Sequence, residues 1–222
     1  MKQRNLLFSP SLLAADFSAT AQGTDLIASA GADYVHLDVM DGSYVSSISF
    51  GSKMIADLRK KSDLVFDVHL MVMQPERHID AFAEAGANII SIHPESTHHP
   101  WRCLDLIKAS GCEAGLAVNP GTSVSFIEPM LSIIDYIIVM GVNPGAGAQP
   151  FITEMLKKIE ELDQRRQEED YHYLIAVDGG VSKKTIRNCW QAGMDVAIMG
   201  SAFFGSPDPA ALLEECRIIA ES

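Results

Sequence analysis

The sequence has few basic residues and no long apolar run. Lys and Arg number 17 against 29 Asp and Glu, which gives a formal net charge of -12. Such a charge repels polyanions, so we expect neither nucleic acid nor an acidic membrane as a partner. No stretch approaches the ~20 apolar residues of a membrane span, and Ser9, Pro10 and Ser11 interrupt the short apolar stretch after Lys2 and Arg4. We therefore expect no secretory leader, no membrane segment and a cytoplasmic location.

Cysteine is also scarce, with four residues in the chain. The four lie too far apart for paired C-x-x-C zinc motifs, and their spacing does not indicate a disulfide framework. We expect reduced, buried thiols at Cys103, Cys112, Cys189 and Cys216.

Short β-rich segments alternate with segments of helical periodicity along the chain. Most β-rich segments are nearly continuous apolar runs, which is typical of a parallel sheet buried on both faces. Three helical segments end near Gly31, Gly86 and Gly193, and glycine suits the end of a helix. The predicted strands cover residues 8–12, 34–38, 64–70, 88–93, 113–118, 136–142, 173–178 and 196–199.

Eight such units in 222 residues, 47% of them apolar, are enough for one sizeable hydrophobic core. We therefore predict the α/β class, with a (β/α)8 TIM barrel as a single domain over residues 1–222. A doubly wound open sheet shows the same alternation, so periodicity alone leaves that alternative open.

Side chains that can bind a metal ion come at the ends of three predicted strands. His36 and Asp38 are two residues apart and so point the same way, Asp67 and His69 have the same spacing, and Asp178 ends a later strand. The carboxyl ends of barrel strands meet at one face. Two imidazoles and two carboxylates suit zinc, iron, manganese or cobalt. Asp67 either orients His69 or has a purely structural role.

Glycine-containing loops follow the last three predicted strands. They cover residues 143–149, Gly179 with Gly180, and Gly200 with Ser201. Glycine lets backbone N–H groups approach an anion closely, and these loops of such barrels frequently hold a phosphate. A tight turn explains each loop alone, but three neighbouring loops favour a phosphate site.

Taken in order, these residues resemble the ribulose-phosphate 3-epimerase family over essentially the whole chain. The resemblance implies a (β/α)8 barrel of the ribulose-phosphate-binding type. The matching segments are S-P-S-L-L-A-A-D at 9–16, V-H-L-D-V-M-D-G at 35–42, D-V-H-L-M-V at 67–72, V-N-P-G at 142–145, V-D-G-G at 177–180 and G-S-A at 200–202.

The resemblance also implies residue roles and a reaction. His36, Asp38, His69 and Asp178 would bind one divalent metal ion, with Asp38 and Asp178 as the catalytic acid and base. The reaction would interconvert D-ribulose 5-phosphate and D-xylulose 5-phosphate at carbon 3 through a metal-stabilised enediolate. The partners would be a small phosphorylated sugar and further copies of the chain in a homo-oligomer. The implied substrate contacts are Ser11, His69, Gly145, Ala146, Gly147, Ala148, Gly179, Gly180, Gly200 and Ser201.

Other side chains near strand ends are weaker candidates. His93, with Glu95 following it, is a candidate to reach the pocket, whereas His98 and His99 have the context of solvated loop residues. The family resemblance implies that three methionines line the reacting carbon, although core filling explains them equally well. These are Met40, Met71 and Met140.

Two loops depart from the family pattern. After the second strand the usual Pro and Asn are Ser46 and Ser47, and after the sixth strand a usual Phe and a usual Gly are Ala146 and Ala148. Neither change removes a metal ligand, so the expected reaction class stands. A larger substrate, such as a six-carbon ketose 6-phosphate, is an alternative.

Two further functions remain as alternatives. A decarboxylase on a related phosphate-binding barrel would carry Asp-x-Lys-x-x-Asp, but residues 36–41 read H-L-D-V-M-D and have no Lys. A non-catalytic relative that binds a sugar phosphate is the other alternative, and the intact acid and base residues argue against it.

Overall fold

The computed structural model of the protein describes residues 4–222. The strands are β1 (Leu7–Pro10), β2 (Tyr34–Met40), β3 (Val65–Met71), β4 (Ile89–Ile92), β5 (Glu113–Val118), β6 (Tyr136–Met140), β7 (Leu174–Asp178) and β8 (Val196–Met199). They form one parallel sheet in the order β1-β8-β7-β6-β5-β4-β3-β2. A parallel bridge between Ser11 and His36 links the two ends of this order. The fold is therefore the predicted (β/α)8 barrel and not an open doubly wound sheet.

Helices connect the strands. They are α1 (Thr20–Ser29), α2 (Ser52–Arg59), α3 (Ile79–Glu84), α4 (Pro100–Ala109), α5 (Val124–Ile127), α6 (Met155–Glu168), α7 (Ile186–Ala192), α8 (Ser201–Phe204) and α9 (Pro209–Glu221). Gly31, Gly86 and Gly193 follow α1, α3 and α7 with positive φ, which confirms their predicted place at helix ends. Within residues 4–222, no helix combines the length and the apolar character needed to cross a bilayer.

Strand boundaries differ from the prediction by one or two residues, except in β5 and β8, which match it. β2 continues to Met40 and β3 to Met71, so the predicted metal-binding residues lie within these strands instead of at their last positions. β1 ends at Pro10 because the side chain of Ser11 accepts a hydrogen bond from the Leu13 N–H and caps a 3-10 turn. The polar cluster therefore lies slightly deeper in the barrel than the sequence indicated.

Apolar side chains on both sides of the strands explain the continuous apolar runs. Leu37, Val68 and Ile107 are fully buried between the strands and the helices. Ile138 and Ala176 belong to a separate cluster inside the barrel. Burial of one large apolar side chain contributes roughly 1.5–3 kcal/mol. These two layers together hold the strand ends that carry the polar residues.

The residue directly before β2, β4, β6 and β8 is an Asp or an Asn. Its side chain accepts a hydrogen bond from a backbone N–H of the preceding strand in the chain. Each bond satisfies a buried donor at the amino-terminal end of the barrel and joins two consecutive βα units. The bonds are Phe8 to Asp33 at 2.8 Å, Phe66 to Asn88 at 2.8 Å, Ala114 to Asp135 at 2.9 Å and Ile175 to Asp195 at 2.8 Å.

Candidate metal centre and active-site cavity

Four of the predicted side chains meet inside the barrel. The register of β2 and β3 sets His36 beside Asp67 and Asp38 beside His69, and Asp178 comes from the end of β7. The Oδ1 atom of Asp38 lies 3.2 Å from Nε2 of His36 and 3.1 Å from Nδ1 of His69. The Oδ2 atom of Asp178 lies 3.9 Å from the same Nδ1. One nitrogen or oxygen of each residue in the set His36, Asp38, His69 and Asp178 lies within 4.8 Å of the others.

These separations are compatible with a shared metal ion. Two ligand atoms that each lie about 2.1 Å from an ion are at most about 4.2 Å apart. A contraction of about half an ångström would therefore bring the widest pair to that limit. Two imidazole nitrogens and two carboxylate oxygens are also a donor set that transition metals accept. The four residues could hold a metal ion.

The two carboxyl groups of the cluster differ in proton affinity. Burial raises the pKa of Asp178 to about 6, and the Asp38 carboxylate adds to the rise. Burial also raises the pKa of Asp38, but the His36 and His69 imidazoles outweigh it and the net pKa lies below the ordinary value. Burial lowers the pKa of His36, but Asp38 and Asp67 outweigh that effect and hold this pKa well above its ordinary value. Carboxyl groups with separated pKa values are typical of an acid/base pair.

Asp67 lies behind His36. Its Oδ2 atom is 2.8 Å from Nδ1 of His36 and accepts hydrogen bonds from Ser9 Oγ at 3.2 Å and Tyr136 OH at 3.1 Å. The hypothesis that Asp67 orients His69 is wrong, because the β2–β3 register sets Asp67 beside the other histidine. Ser9 and Tyr136 were missed in the sequence. The sequence marks them only through the alternation of side chains along a strand, which places both on the inner face of the barrel.

His93 lies behind His69. The Nε2 atoms of the two rings are 2.9 Å apart, and both side chains are fully buried. The hypothesis that His93 reaches the pocket is wrong, since it does not line the cavity and the Tyr44 ring stacks on it with centroids 4.7 Å apart. Burial lowers the pKa of His93 well below its ordinary value, and His69 lowers it further. His98 and His99 are exposed, as predicted.

A cavity of about 530 Å³ borders the cluster. Asp38 lines it from β2, Asp178 from β7 and Ser11 from the end of β1. The Ser11 hydroxyl donates to Oδ2 of Asp38 at 2.5 Å, which leaves Oδ1 facing the two histidines. His69 is buried beneath the cavity surface, so its predicted direct contact with substrate stays a prediction. The cavity is also lined by Met40, Met71 and Met140.

The three glycine-containing loops meet at this cavity. Residues 143–149, 179–180 and 200–201 all line it. Gly180 has a φ of +71°, and a Cβ atom there would lie 2.6 Å from the backbone N of Phe151, so no larger residue fits. Ala148 has a φ of 58°, a left-handed conformation that costs a non-glycine residue roughly 1–2 kcal/mol. Phosphate binding by these loops stays a prediction.

A hydrogen bond joins the two loops that depart from the family pattern. The hydroxyl of Ser47, in the loop after β2, donates to the carbonyl oxygen of Gly145, in the loop after β6, at 2.7 Å. Val45 lies against the same glycine, where an added Cβ would come within 2.8 Å of the valine Cβ. Ser47 therefore links two sides of the cavity rim. The sequence identified this position as altered but did not indicate this contact.

Together these features define a (β/α)8 barrel with a candidate metal centre at the strand ends where barrel enzymes carry their active sites. A profile described as the Ribulose-phosphate 3 epimerase family matches residues 7–204. The chain is 42% identical over 218 residues to ribulose-phosphate 3-epimerase of Escherichia coli (strain K12), an alignment that covers 98% of this chain and 96% of the relative. It is 41% identical over 210 residues to ribulose-phosphate 3-epimerase of Bacillus subtilis (strain 168), covering 94% and 97%. The chain belongs to the ribulose-phosphate 3-epimerase family and is an isomerase of the epimerase class.

Solved structures agree on the fold. KGPDC from Streptococcus mutans superposes with a TM-score of 0.70 at 14% identity, over 99% of this chain and 98% of that one. The 3-hexulose-6-phosphate synthase from Salmonella typhimurium gives a TM-score of 0.68 at 16% identity, over 98% of this chain and 99% of that one. At such identities the likeness supports the barrel architecture alone.

Proposed function

We propose that this protein interconverts D-ribulose 5-phosphate and D-xylulose 5-phosphate by epimerisation at carbon 3. The observation that carries the proposal is that Asp38 and Asp178 line one cavity from different strands, β2 and β7. Epimerisation beside a ketone removes a proton from one face of the carbon and returns a proton to the other. A carboxyl group on each side of the bound sugar meets that requirement.

His36, Asp38, His69 and Asp178 would hold one divalent ion in this proposal, and the donor set accepts zinc, iron, manganese or cobalt. When bound, such an ion supplies Lewis-acid stabilisation of negative charge on the substrate oxygens. The carboxyl groups supply the proton transfer. The separated pKa values of Asp38 and Asp178 support one group as the proton acceptor and the other as the donor, with the roles exchanged in the reverse direction.

The glycine-containing loops would bind the phosphate of the sugar. Their shared position at the cavity supports this assignment, and so does the strict glycine requirement at Gly180. Ser11 would contact the sugar while it holds Asp38 in orientation. The proposed phosphate contacts are Gly145, Ala146, Gly147, Ala148, Gly179, Gly180, Gly200 and Ser201. A homo-oligomer, which the family resemblance implies, stays a prediction.

A six-carbon ketose 6-phosphate is the second candidate substrate. The cavity of about 530 Å³ is bordered at Ala146 and Ala148 by methyl groups, where the family pattern has a Phe and a Gly. The loss of the Phe ring leaves room at the rim for a longer sugar. The test of function therefore includes sugars of both lengths.

Solvent deuterium exchange tests both candidates. The metal-loaded enzyme is incubated in deuterated water with each ketose phosphate, and deuterium at carbon 3 is followed by NMR. We expect exchange and epimerisation with the wild type, and a loss of roughly 10²-fold or more in Asp38→Asn and Asp178→Asn. Asp25→Asn, an exposed carboxylate on α1, is the matched control and should retain full activity. Absence of exchange with every sugar would overturn the proposed function.

A further inference from the structure

The two imidazoles of the cluster have different groups behind them. The far nitrogen of His36, Nδ1, faces the Asp67 carboxylate at 2.8 Å, whereas the far nitrogen of His69, Nε2, faces Nε2 of His93 at 2.9 Å. All of these side chains are fully buried, so water does not compete for either contact. The acceptor behind His36 is charged, and the one behind His69 is an imidazole.

Proton counting determines the roles in the histidine pair. Two imidazole nitrogens 2.9 Å apart share one proton, so one donates and the other accepts. The Nδ1 atom of His69 is the one that faces Asp38 and Asp178. If that atom is the metal ligand, the proton of neutral His69 is on Nε2. His93 then accepts through Nε2 and carries its own proton on Nδ1.

The surroundings of His93 are consistent with this tautomer. Within residues 4–222, its Nδ1 atom has no hydrogen-bond partner, and the Glu95 Oε2 atom lies 3.9 Å away on that side. Glu95 is held through its other oxygen by the Thr122 hydroxyl and by Asn119. The Tyr44 ring packs on the His93 ring. The His93 ring is therefore fixed in orientation, with its proton-bearing nitrogen toward a carboxylate.

A neutral acceptor also suits the charge of the centre. Asp38, Asp178 and Asp67 already bring three carboxylates to the region of the proposed divalent ion. A fourth carboxylate behind His69 would add an uncompensated buried charge, which is unfavourable in a dry interior. An imidazole accepts the same hydrogen bond without that charge.

We propose that His93 is the positioning residue for His69, accepting its Nε2–H so that Nδ1 is unprotonated and aimed at the metal centre. This inference rests on the proposed metal site. Groups that orient metal-binding histidines typically change metal affinity by about 10–100-fold when they are removed.

Two substitutions separate hydrogen bonding from packing. His93→Phe keeps an aromatic ring against Tyr44 but removes both nitrogens, whereas His93→Gln loses the ring but keeps a carbonyl oxygen that can accept the His69 proton. Zinc affinity is measured by competition with a chelator, and thermal unfolding of the metal-free proteins reports folding. We expect about 10–100-fold weaker zinc binding in His93→Phe and a substantially smaller loss in His93→Gln. His98→Phe, at an exposed histidine nearby, is the control and should bind zinc as the wild type does.

A loss of affinity that is equal in the two variants, larger in His93→Gln, or absent from both would overturn the proposal. Long-range 1H–15N NMR of the zinc-loaded wild type provides a readout independent of variant folding. We expect protons on Nε2 of His69 and on Nδ1 of His93, and the opposite tautomers would contradict the assignment. If the wild type binds neither zinc nor another divalent ion, the proposed metal site fails and this inference fails with it, whereas a zinc-binding wild type with the opposite tautomers overturns the role of His93 alone.

Discussion

The Oδ2 atom of Asp67 lies 2.8 Å from Nδ1 of His36, in the interior of the barrel. This contact fixes the orientation of the His36 ring and directs its Nε2 atom toward Asp38. We expect Asp67→Asn to weaken metal binding by at least about tenfold, because the amide can still accept the hydrogen bond but has lost the negative charge. Chelator competition measures the effect. Asp57→Asn, at a half-exposed carboxylate on α2, should not change metal affinity. Unchanged binding in Asp67→Asn would contradict the orienting role.

The raised pKa of Asp178 predicts a pH dependence for the stability of the metal-free protein. This pKa is about 6 in the folded protein against an ordinary value of 3.8, so folding favours the protonated form. Its contribution to the free energy of unfolding is therefore complete below about pH 4 and is lost as the pH rises through about 6. Urea unfolding at a series of pH values measures it as the difference between wild type and Asp178→Asn. That difference should fall across this range.

The wild type must be compared with Asp178→Asn because Asp38 also contributes to the pH dependence of the stability. Its pKa is lowered by the neighbouring imidazoles, so its contribution has the opposite sign and is lost as the pH falls below the ordinary carboxyl range. The total stability of the wild type mixes both contributions. A wild-type minus Asp178→Asn difference that is flat or rises with pH would show that Asp178 does not have a raised pKa.

The hydrogen bond from Ser47 to Gly145 predicts a role for the loop after β2 in substrate use. Ser47→Ala removes a bond worth roughly 0.5–1.5 kcal/mol, so we expect kcat/KM for the sugar phosphate to fall by up to about tenfold. Metal affinity should be unchanged, because the hydroxyl does not contact the metal cluster. Steady-state kinetics on the metal-loaded enzyme tests this. Ser46→Ala, at the exposed neighbouring position, should behave as the wild type, and equal kinetics in both variants would exclude the link.

Asp195 is predicted to be important for stability. It accepts the Ile175 N–H at 2.8 Å and pairs with Arg166, whose side chain is largely buried. Asp195→Ala leaves the buried Ile175 N–H without its acceptor and removes one of the two carboxylates that Arg166 contacts, the other being Asp163. We expect it to lower the free energy of unfolding by roughly 2–4 kcal/mol. Denaturant unfolding measures the change. Glu215→Ala breaks an exposed pair with Lys183 and should change the free energy of unfolding far less, because water screens that pair. Comparable effects in the two variants would contradict the argument from burial.

Much of the fold and the centre of the site could be predicted from local patterns. The alternation of apolar runs and helical segments predicted eight βα units, and the eight strands confirm it. The two-residue spacing of His36 and Asp38 predicted that both side chains face the same way, because a strand alternates its side chains between two faces. The strand boundaries were less accurate, and only those of β5 and β8 match at both ends, since caps and ladder hydrogen bonds determine where a strand ends.

Contacts between strands could not be predicted in the same way. The sequence shows that Asp67 faces inward, but whether it lies beside His36 or His69 depends on the β2–β3 register. The sequence also presents His93 as a candidate for the pocket, and only the packing of Tyr44 over it and the contact with His69 exclude that position.

By itself the sequence determined which side chains face into the barrel and which family pattern they match, because strand pleating and motif order are local properties of the chain. The tertiary structure decided which groups lie behind each imidazole and which hydrogen bond joins the loops at the cavity rim. Those contacts depend on how eight strands align around one barrel. That alignment results from interstrand hydrogen bonding and core packing between segments far apart in the chain.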